Sequence, residues 1–170
     1  TTKLDVSHFN SVSLDTEGNL LISARYFDQV FKVSRVTGAV VWRLGGKTGD
    51  VKILNDTVPF YGQHDARFLA PNKFSLFDNG YTFDSLKHNA RALEYEVDEK
   101  TKTAKVNRKY ANENYIISEA TGNVQQLDNG NLLINYGKIQ GGKPNITFEV
   151  ITPNDQKQLS VYFKDTIGTY

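Results

Sequence analysis

The chain lacks cysteine and methionine entirely. Without cysteine it has no disulfide bond, no thiolate nucleophile and no thiolate metal ligand. Because translation starts at methionine, the absence of that residue predicts that these 170 residues are a processed or truncated piece of a longer protein.

Long apolar runs and an excess of one charge are also missing. No stretch approaches the roughly 20 consecutive apolar residues of a transmembrane helix, and the first residues, 1–5, lack the apolar region of a signal peptide. The 20 basic residues nearly balance the 19 acidic ones, which gives a net charge of +1. Because these charges are scattered, they form no basic stripe for a nucleic acid backbone. We therefore expect no membrane span and no nucleic-acid partner.

What the chain does contain is a repeat. An asparagine that opens an apolar-rich strand recurs at Asn19, Asn72 and Asn131, about 55 residues apart, slightly above the about 40 to 50 residues of the longest common propeller repeats. Alternating apolar residues and Gly- or Asn-containing turns between these anchors indicate strands and hairpins, with no amphipathic helix. The sequence therefore predicts an all-β fold, a β-propeller with one four-stranded blade per repeat.

Three such blades account for nearly the whole chain. We expect blade one at about residues 5–46, blade two at about 63–112 and blade three at about 118–165, with a loop at 47–62. The predicted strands are 8–14, 19–25, 29–34 and 40–44, then 63–69, 72–77, 91–97 and 103–110, then 122–127, 131–136, 146–152 and 158–163. Long loops are often functional or mobile, so 47–62 and a second excursion at 78–89 are expected on a face of the ring.

Three blades do not close a ring, because propellers typically have 4 to 8. An open arc would expose the apolar contents of its two end blades. We therefore expect the remaining blades to come from missing chain, a second copy or a companion fragment, and a six-bladed ring made from two arcs is the simplest arrangement.

Two of the three histidines fall at nearly equivalent repeat positions. His8 and His64 each open the first strand of a blade, and Thr121 with Gly122 marks the matching place in blade three. The first strand of a blade is innermost, so both imidazoles are expected beside the central channel, within about 8 Å if one small group is to bridge them. Such a pair could be general acid and base, nucleophile and assistant, or metal ligands, or could simply hydrogen-bond across a packed channel mouth.

No metal and no cofactor is expected. Transition metals need three or four ligands, and besides the two histidines only Asp5 or Asp65 is available. A Gly-x-x-x-Trp turn, which quinone-dependent propellers repeat, occurs only once, at residues 38–42. The third histidine, His88, is expected at a solvated loop position. Asp65 is not expected to contact His64, because neighbouring strand residues point to opposite faces.

Several motifs then occur in order along nearly the whole chain. They are His8-Phe9-Asn10-Ser11-Val12, Leu21-Ile22-Ser23-Ala24-Arg25, Thr37-Gly38, Val41-Trp42-Arg43-Leu44-Gly45-Gly46, Gln63-His64-Asp65-Ala66-Arg67, Phe77-Asp78-Asn79-Gly80, Ala90-Arg91-Ala92, Gly122-Asn123-Val124-Gln125 and Asn129-Gly130-Asn131. Together they resemble the arylsulfotransferase family, and most strongly its shorter-chain Trp-Arg-Leu-Gly-Gly branch.

The resemblance implies a six-bladed propeller that moves a sulfuryl group from an aryl sulfate to a phenol through a sulfated histidine. It implies that His8 and His64 are catalytic, that Arg91 binds sulfate and that Asn10 lines the site. It also implies phenolic and aryl sulfate ligands, and export to the periplasm or the extracellular space, since bacterial members of the family are exported.

One motif departs from the family. Its sulfated histidine lies in a later blade, and the corresponding residues here, 135–140, contain no histidine. Three alternatives follow: His64 or His8 has taken the nucleophile's role, the nucleophile lies in absent blades, or the reaction has been lost. In the last case the propeller would be a non-catalytic binding or assembly module, since one fold hosts many functions.

Overall fold

The protein is built from β-strands joined by turns. Its structure, a computed structural model, describes residues 6–82, 87–140 and 146–163. Within these ranges the one regular helical element is a single 3-10 turn, Arg25–Phe27. The strands are β1 (Phe9–Leu14), β2 (Leu20–Ala24), β3 (Gln29–Val33), β4 (Val40–Gly45), β5 (Lys52–Ile53), β6 (His64–Ala70), β7 (Lys73–Asp78), β8 (Arg91–Asp98), β9 (Thr103–Ala111), β10 (Ser118–Ala120), β11 (Asn123–Gln126), β12 (Leu132–Asn135), β13 (Lys138–Ile139), β14 (Ile146–Ile151) and β15 (Lys157–Tyr162).

The strands form three larger antiparallel sheets in chain order. The first sheet is β1-β2-β3-β4, the second contains β6, β7, β8 and β9, and the third is β11-β12-β14-β15. These twelve strands lie within one or two residues of the positions that the alternating pattern predicts. Of the predicted blade bounds, residues 5, 164 and 165 lie outside the described residues. A separate two-stranded sheet, β10-β13, is an addition that the sequence pattern did not indicate.

The hairpin between β3 and β4 illustrates why the chain folds locally in this way. Val30 pairs with Leu44 and Lys32 pairs with Trp42, and all four side chains are buried, whereas the alternate residues are partly exposed. The turn between the strands needs a left-handed residue, which is Gly38 with a φ of 71°. Period-two alternation therefore sets which face of the sheet enters the core.

The segment 47–62, expected as a loop, is a strap on the second sheet. Its strand β5 pairs in parallel with β9, so the second sheet has five strands. Asn55 exchanges hydrogen bonds with the backbone of Val106, at 2.9 and 2.8 Å. The Phe60 ring is buried and packs against Tyr95, with ring centroids 6.1 Å apart. The strap therefore has a structural role in the core.

Two apolar cores lie between successive sheets. The first joins sheets one and two, and in it the Trp42 and Phe74 rings are stacked with their centroids 5.8 Å apart. The second joins sheets two and three around Phe77, Leu132 and Tyr136. Each core residue removes apolar surface from water, worth about 25 cal/mol per Å² buried. The sheets are thus held face to face rather than edge to edge.

The inner strands of the three sheets lie next to one another. The Ser11 hydroxyl accepts a hydrogen bond from the Ala66 N–H at 2.9 Å, and the Asp65 carboxylate accepts one from the Val124 N–H at 3.2 Å. These bonds connect β1 with β6 and β6 with β11, so the beginnings of all three strands converge.

No helix in the described ranges is long and apolar enough to cross a membrane.

Candidate functional site

An open cavity of about 350 Å³ lies where the inner strands begin. It is lined by residues from all three sheets: His8, Phe9, Asn10, His64, Asp65, Thr121, Gly122 and Asn123. The imidazoles of His8 and His64 face each other edge to face, with ring centroids 6.3 Å apart. This separation is inside the limit of about 8 Å for two groups that share one small ligand.

The backbone at this cavity is left-handed in each repeat. His8, Asp65 and Thr121 have φ values of 47°, 57° and 58°. The three residues occupy matching places, 57 and 56 positions apart along the chain. Non-glycine residues seldom adopt this conformation, and β-branched threonine least of all, so the strain is characteristic of functional sites. The irregular backbone also breaks strand alternation, which is why the consecutive residues His64 and Asp65 both line the cavity.

His64 is held by hydrogen bonds on both ring nitrogens. Its Nδ1 lies 3.0 Å from the Gly62 carbonyl oxygen and 2.8 Å from Asn79 Oδ1. Its Nε2 accepts a hydrogen bond from the Thr121 N–H at 3.3 Å. Because Thr121 lines the cavity, Nε2 is the nitrogen on the cavity side.

The environment of His64 favours the neutral imidazole. The pKa of His64 is lowered from the usual 6.5 to about 4, and the largest cause is burial, which leaves 8% of the residue exposed. The charges of Arg25 and His8 lower the pKa further, whereas the hydrogen bonds to Asn79 and Gly62 oppose the shift. At neutral pH the His64 imidazole is therefore unprotonated, which is the form that a base or a nucleophile requires.

Arg25 does not line the cavity, but its positive charge lies close enough to His64 to lower the pKa of that imidazole. It follows β2 in the 3-10 turn, is 5% exposed, and donates a hydrogen bond to the Glu119 backbone oxygen. Its guanidinium also lies 5.7 Å from the centre of the Tyr26 ring. Sequence reasoning missed Arg25 as a site residue, although its place at the end of an apolar run was a signal. Arginine is rarely buried in a folded protein unless its charge is paired with other groups.

Asn10 lines the cavity as the resemblance implied. Its Nδ2 donates a hydrogen bond to the Gln63 carbonyl oxygen at 2.8 Å. Gln63 directly precedes His64 in the chain, so this hydrogen bond links the strand that follows His8 with the strand that begins at His64. A contact between Asn10 and the substrate stays a prediction.

Arg91, by contrast, is not among the residues that line the cavity. It donates to Asp78 Oδ2 from Nε at 2.7 Å, to Asp56 from NH1 at 3.0 Å, and to the Val58 and Pro59 carbonyl oxygens. All these partners belong to the strap or to the end of β7. These contacts hold the Arg91 guanidinium on the strap and the end of β7, and its sulfate-binding role stays a prediction.

His88 also lies elsewhere, and it is not the solvated residue that the sequence indicated. Its ring nitrogens lie 2.9 Å from the Asn89 carbonyl oxygen and 3.0 Å from that of Pro59, and its side chain is 19% exposed. Asp5, one of the expected metal-ligand candidates, lies outside the described residues. No group of three or more possible metal ligands occurs in the part of the chain that the structure describes.

Removing the Arg25 charge should make His64 easier to protonate. In Arg25→Met the buried stem is kept while the cation is lost, so we expect the His64 pKa to rise by about half a unit to one unit. An NMR titration of the His64 ring measures this directly. The exposed Arg35, in the turn after β3, gives the matched control, and Arg35→Met should leave the titration where it is. If the pKa of His64 is unchanged in Arg25→Met, the charge of Arg25 does not act on His64.

Several solved structures are similar to the chain, and two of them illustrate the shared fold. A protein of unknown function from Bacteroides caccae is similar over 96% of this chain, with 16% identity and a TM-score of 0.50. The PQQ-bound aldose sugar dehydrogenase from Streptomyces coelicolor is similar over 92%, with 13% identity and a TM-score of 0.59. The chain spans about half of each, 49% and 47%. At such identities the likeness concerns the fold alone, which is all-β and propeller-like, as the repeat predicts.

Sequence comparison adds the family. No curated protein is detectably similar in sequence to the chain. The sequence profile of the arylsulfotransferase (ASST) family, however, matches residues 1–143, a range that holds every residue of the cavity. The assignment to the Trp-Arg-Leu-Gly-Gly branch stays a prediction. Since the match covers most of the chain and its motifs build the site, the chain belongs to the arylsulfotransferase family.

Proposed function

We propose that the chain is part of an arylsulfotransferase-like propeller that transfers a sulfuryl group from an aryl sulfate to a phenol, with His64 as the nucleophile and His8 as the acid and base. The observation that carries the proposal is the pair of imidazoles 6.3 Å apart across one cavity, one of them held neutral by burial. A neutral ring can attack sulfur while the other ring serves the leaving oxygen.

In the first step, the His64 Nε2 lone pair forms a bond to sulfur and the bond between sulfur and the aryl oxygen breaks. The leaving oxygen keeps that electron pair and takes a proton from the His8 imidazolium, so a neutral phenol departs. The product is a sulfated His64 and a neutral His8.

In the second step, the acceptor phenol gives its proton to His8 while its oxygen attacks the sulfur. The bond between sulfur and Nε2 breaks, and its electron pair returns to His64. The overall reaction consumes one aryl sulfate and one phenol and produces one of each. Both histidines return to their starting forms without an external oxidant or reductant.

Negative charge on the sulfuryl oxygens during transfer needs fixed donors. The Arg25 guanidinium supplies a buried positive charge, and the Thr121 N–H, 3.3 Å from Nε2, is placed to donate to an oxygen once sulfur binds that nitrogen. Donors that are already oriented stabilise such a transition state strongly in a site with little water. In this assignment His64 fills the role for which residues 135–140 provide no histidine.

The remaining blades are a second part of the proposal. The face of the first sheet that turns away from sheet two carries Val12, Leu14 and Val40, which are 63%, 62% and 37% exposed, and Phe9 beside Phe31 is 58% exposed. An apolar sheet face of this kind is normally covered. We infer that further propeller blades cover it and complete the ring.

Family membership also supports export to the periplasm or the extracellular space, which fractionation of the native host would check.

The test of the proposed function is a transfer assay on the complete protein. With an aryl sulfate donor and a phenol acceptor, we expect release of the donor phenol to depend on the acceptor and to follow two-step kinetics. Donor alone should leave a protein whose mass has grown by one sulfuryl group, located on the peptide that contains His64. A sulfated peptide elsewhere, or no transfer across a wide pH range, would contradict the mechanism and favour a binding or assembly module.

A further inference from the structure

We propose that Asn79 is a positioning residue that holds His64 in the tautomer with a proton on Nδ1, so that Nε2, the nitrogen on the cavity side, carries the lone pair of the ring. The tautomer follows from the hydrogen bonds alone. Its catalytic consequence rests on the proposed function.

The orientation of the Asn79 amide is determined by its other partners. The side chain is fully buried, and its Nδ2 lies 2.9 Å from the Thr121 carbonyl oxygen and 2.8 Å from the Ser118 hydroxyl. A carbonyl oxygen can only accept, so the amide atom that faces Thr121 must be the nitrogen. The amide oxygen therefore faces the imidazole.

This orientation determines the tautomer of His64. Asn79 Oδ1, 2.8 Å from Nδ1, can only accept, and so can the Gly62 carbonyl oxygen at 3.0 Å. On the other side of the ring, the Thr121 N–H can only donate to Nε2. All three contacts require a proton on Nδ1 and a lone pair on Nε2.

The turn that holds Asn79 is itself anchored. The neighbouring Asp78 carboxylate accepts hydrogen bonds from the Gly80 N–H at 2.9 Å and the Tyr61 N–H at 3.0 Å. Gly80 has a φ of 63°, and a Cβ there would lie 2.2 Å from the His88 carbonyl oxygen. The Ser118 hydroxyl that accepts from Asn79 donates in turn to the Tyr136 carbonyl oxygen at 2.7 Å. The Asp78-Asn79-Gly80 motif thus places one amide against one histidine.

The arrangement has a chemical consequence if His64 is sulfated. Forming the bond at Nε2 spreads positive charge over the ring, including Nδ1–H, and the Asn79 oxygen dipole stabilises that charge where it develops. Asn79 moves no proton and does not touch the reacting atoms. Its effect on the rate is therefore exerted through His64.

Nitrogen NMR of the His64 ring in the full chain tests the tautomer without substrate. We expect the wild type to have protonated Nδ1 and unprotonated Nε2. Asn79→Leu removes the shorter of the two acceptor contacts at Nδ1, so the tautomer with the proton on Nε2 should appear as a minor population beside the one that Gly62 and Thr121 still favour. Asn79→Asp keeps the acceptor toward Nδ1 and adds negative charge, although it loses the donor to the Thr121 carbonyl oxygen, so the tautomer should persist while the pKa of His64 rises by about one unit or more. The nitrogen signals that disappear in His64→Gln are thereby assigned to the His64 ring.

Two serine variants supply the controls. Ser118→Ala removes one Asn79 partner but leaves Thr121, so the tautomer should persist. Ser75, on β7, has a buried hydroxyl with no hydrogen-bond partner in the described structure, and Ser75→Ala should leave the His64 signals unchanged. A wild-type spectrum with the proton on Nε2, or an Asn79→Leu spectrum identical to wild type, would overturn the proposal.

The kinetic comparison separates positioning from packing. In Asn79→Leu we expect kcat for sulfuryl transfer to fall by about 10²-fold, with KM nearly unchanged, while Asn79→Asp restores part of the rate and shifts the acid limb of the pH profile upward. An altered tautomer with an unchanged rate would refute the positioning role. Absence of transfer in the wild type would refute the proposed function, and the NMR result would still decide the tautomer.

Discussion

Replacing Arg91 by methionine should lower the free energy of unfolding by about 3–5 kcal/mol, the usual effect of removing one partner from a buried ion pair. The Asp78 side chain is fully buried and that of Asp56 is 3% exposed. Burial raises the pKa of the Asp78 carboxyl, and the Arg91 charge counteracts that rise. Without the guanidinium, two buried carboxylates lose their nearest cation and two strap carbonyls lose a donor.

The measurement is chemical denaturation of Arg91→Met at neutral and at acid pH. Protonating Asp78 removes the uncompensated charge, so the difference from wild type should shrink as the pH falls. Asp78→Asn in the same background should restore part of the stability. Arg67, whose side chain is 56% exposed beside Asp65, gives the matched control, and Arg67→Met should change stability by about 1 kcal/mol or less.

This result also decides the role that the family resemblance implied for Arg91. A sulfate-binding arginine would lower activity when replaced while leaving the fold intact. A small stability change in Arg91→Met, together with a large loss of transfer, would restore that role and contradict the structural one.

Replacing His64 by glutamine should reduce kcat/KM for sulfuryl transfer by about 10³-fold or more, since the group that forms the covalent intermediate is lost. Glutamine keeps a polar side chain in the buried space, so the fold should survive. The sulfated peptide should vanish as well. His88→Gln is the matched control, because His88 lies outside the cavity, and it should retain transfer activity.

The pH dependence of the wild type gives an independent reading of His64. Since its folded pKa of about 4 lies below the usual 6.5, the unfolded chain takes up the proton more readily. The stabilising contribution of neutral His64 is therefore complete above about pH 6.5 and is lost as the pH falls through about 4. Transfer that depends on neutral His64 should persist to mildly acidic pH and fall near pH 4. A limb near pH 6.5 that disappears in His64→Gln would contradict the buried, neutral ring.

The local pattern of the chain was enough to predict most of the fold. Twelve strands follow from alternation and turn residues, because successive side chains of a strand point to opposite faces of the sheet, which the local sequence alone determines. The same reasoning failed for the 47–62 segment. Its apolar Phe60 and the edge pairing of β5 depend on contacts with β8 and β9, which lie far along the chain.

The site was predicted less completely. Repeat position placed His8 and His64 at the inner strands, and the structure brings their rings together. Opposite faces were expected for the neighbouring residues His64 and Asp65, but both line the cavity, because the left-handed backbone at Asp65 departs from regular alternation. Arg25 and Asn79 were quoted within motifs but not chosen, since nothing in a linear motif says which side chains meet.

From its order of residues alone, then, this protein has an all-β, repeated architecture and two histidines at equivalent inner positions. These features depend on periodicity and spacing, which a linear chain carries. Only the tertiary structure decided the partners of the buried polar groups: Arg25 and Arg91 are held by Glu119 and Asp56, 94 and 35 residues away. His64 is held by Asn79 and Thr121, 15 and 57 residues away. Charge, burial and hydrogen bonding act through space, and only the packed sheets bring those partners within reach.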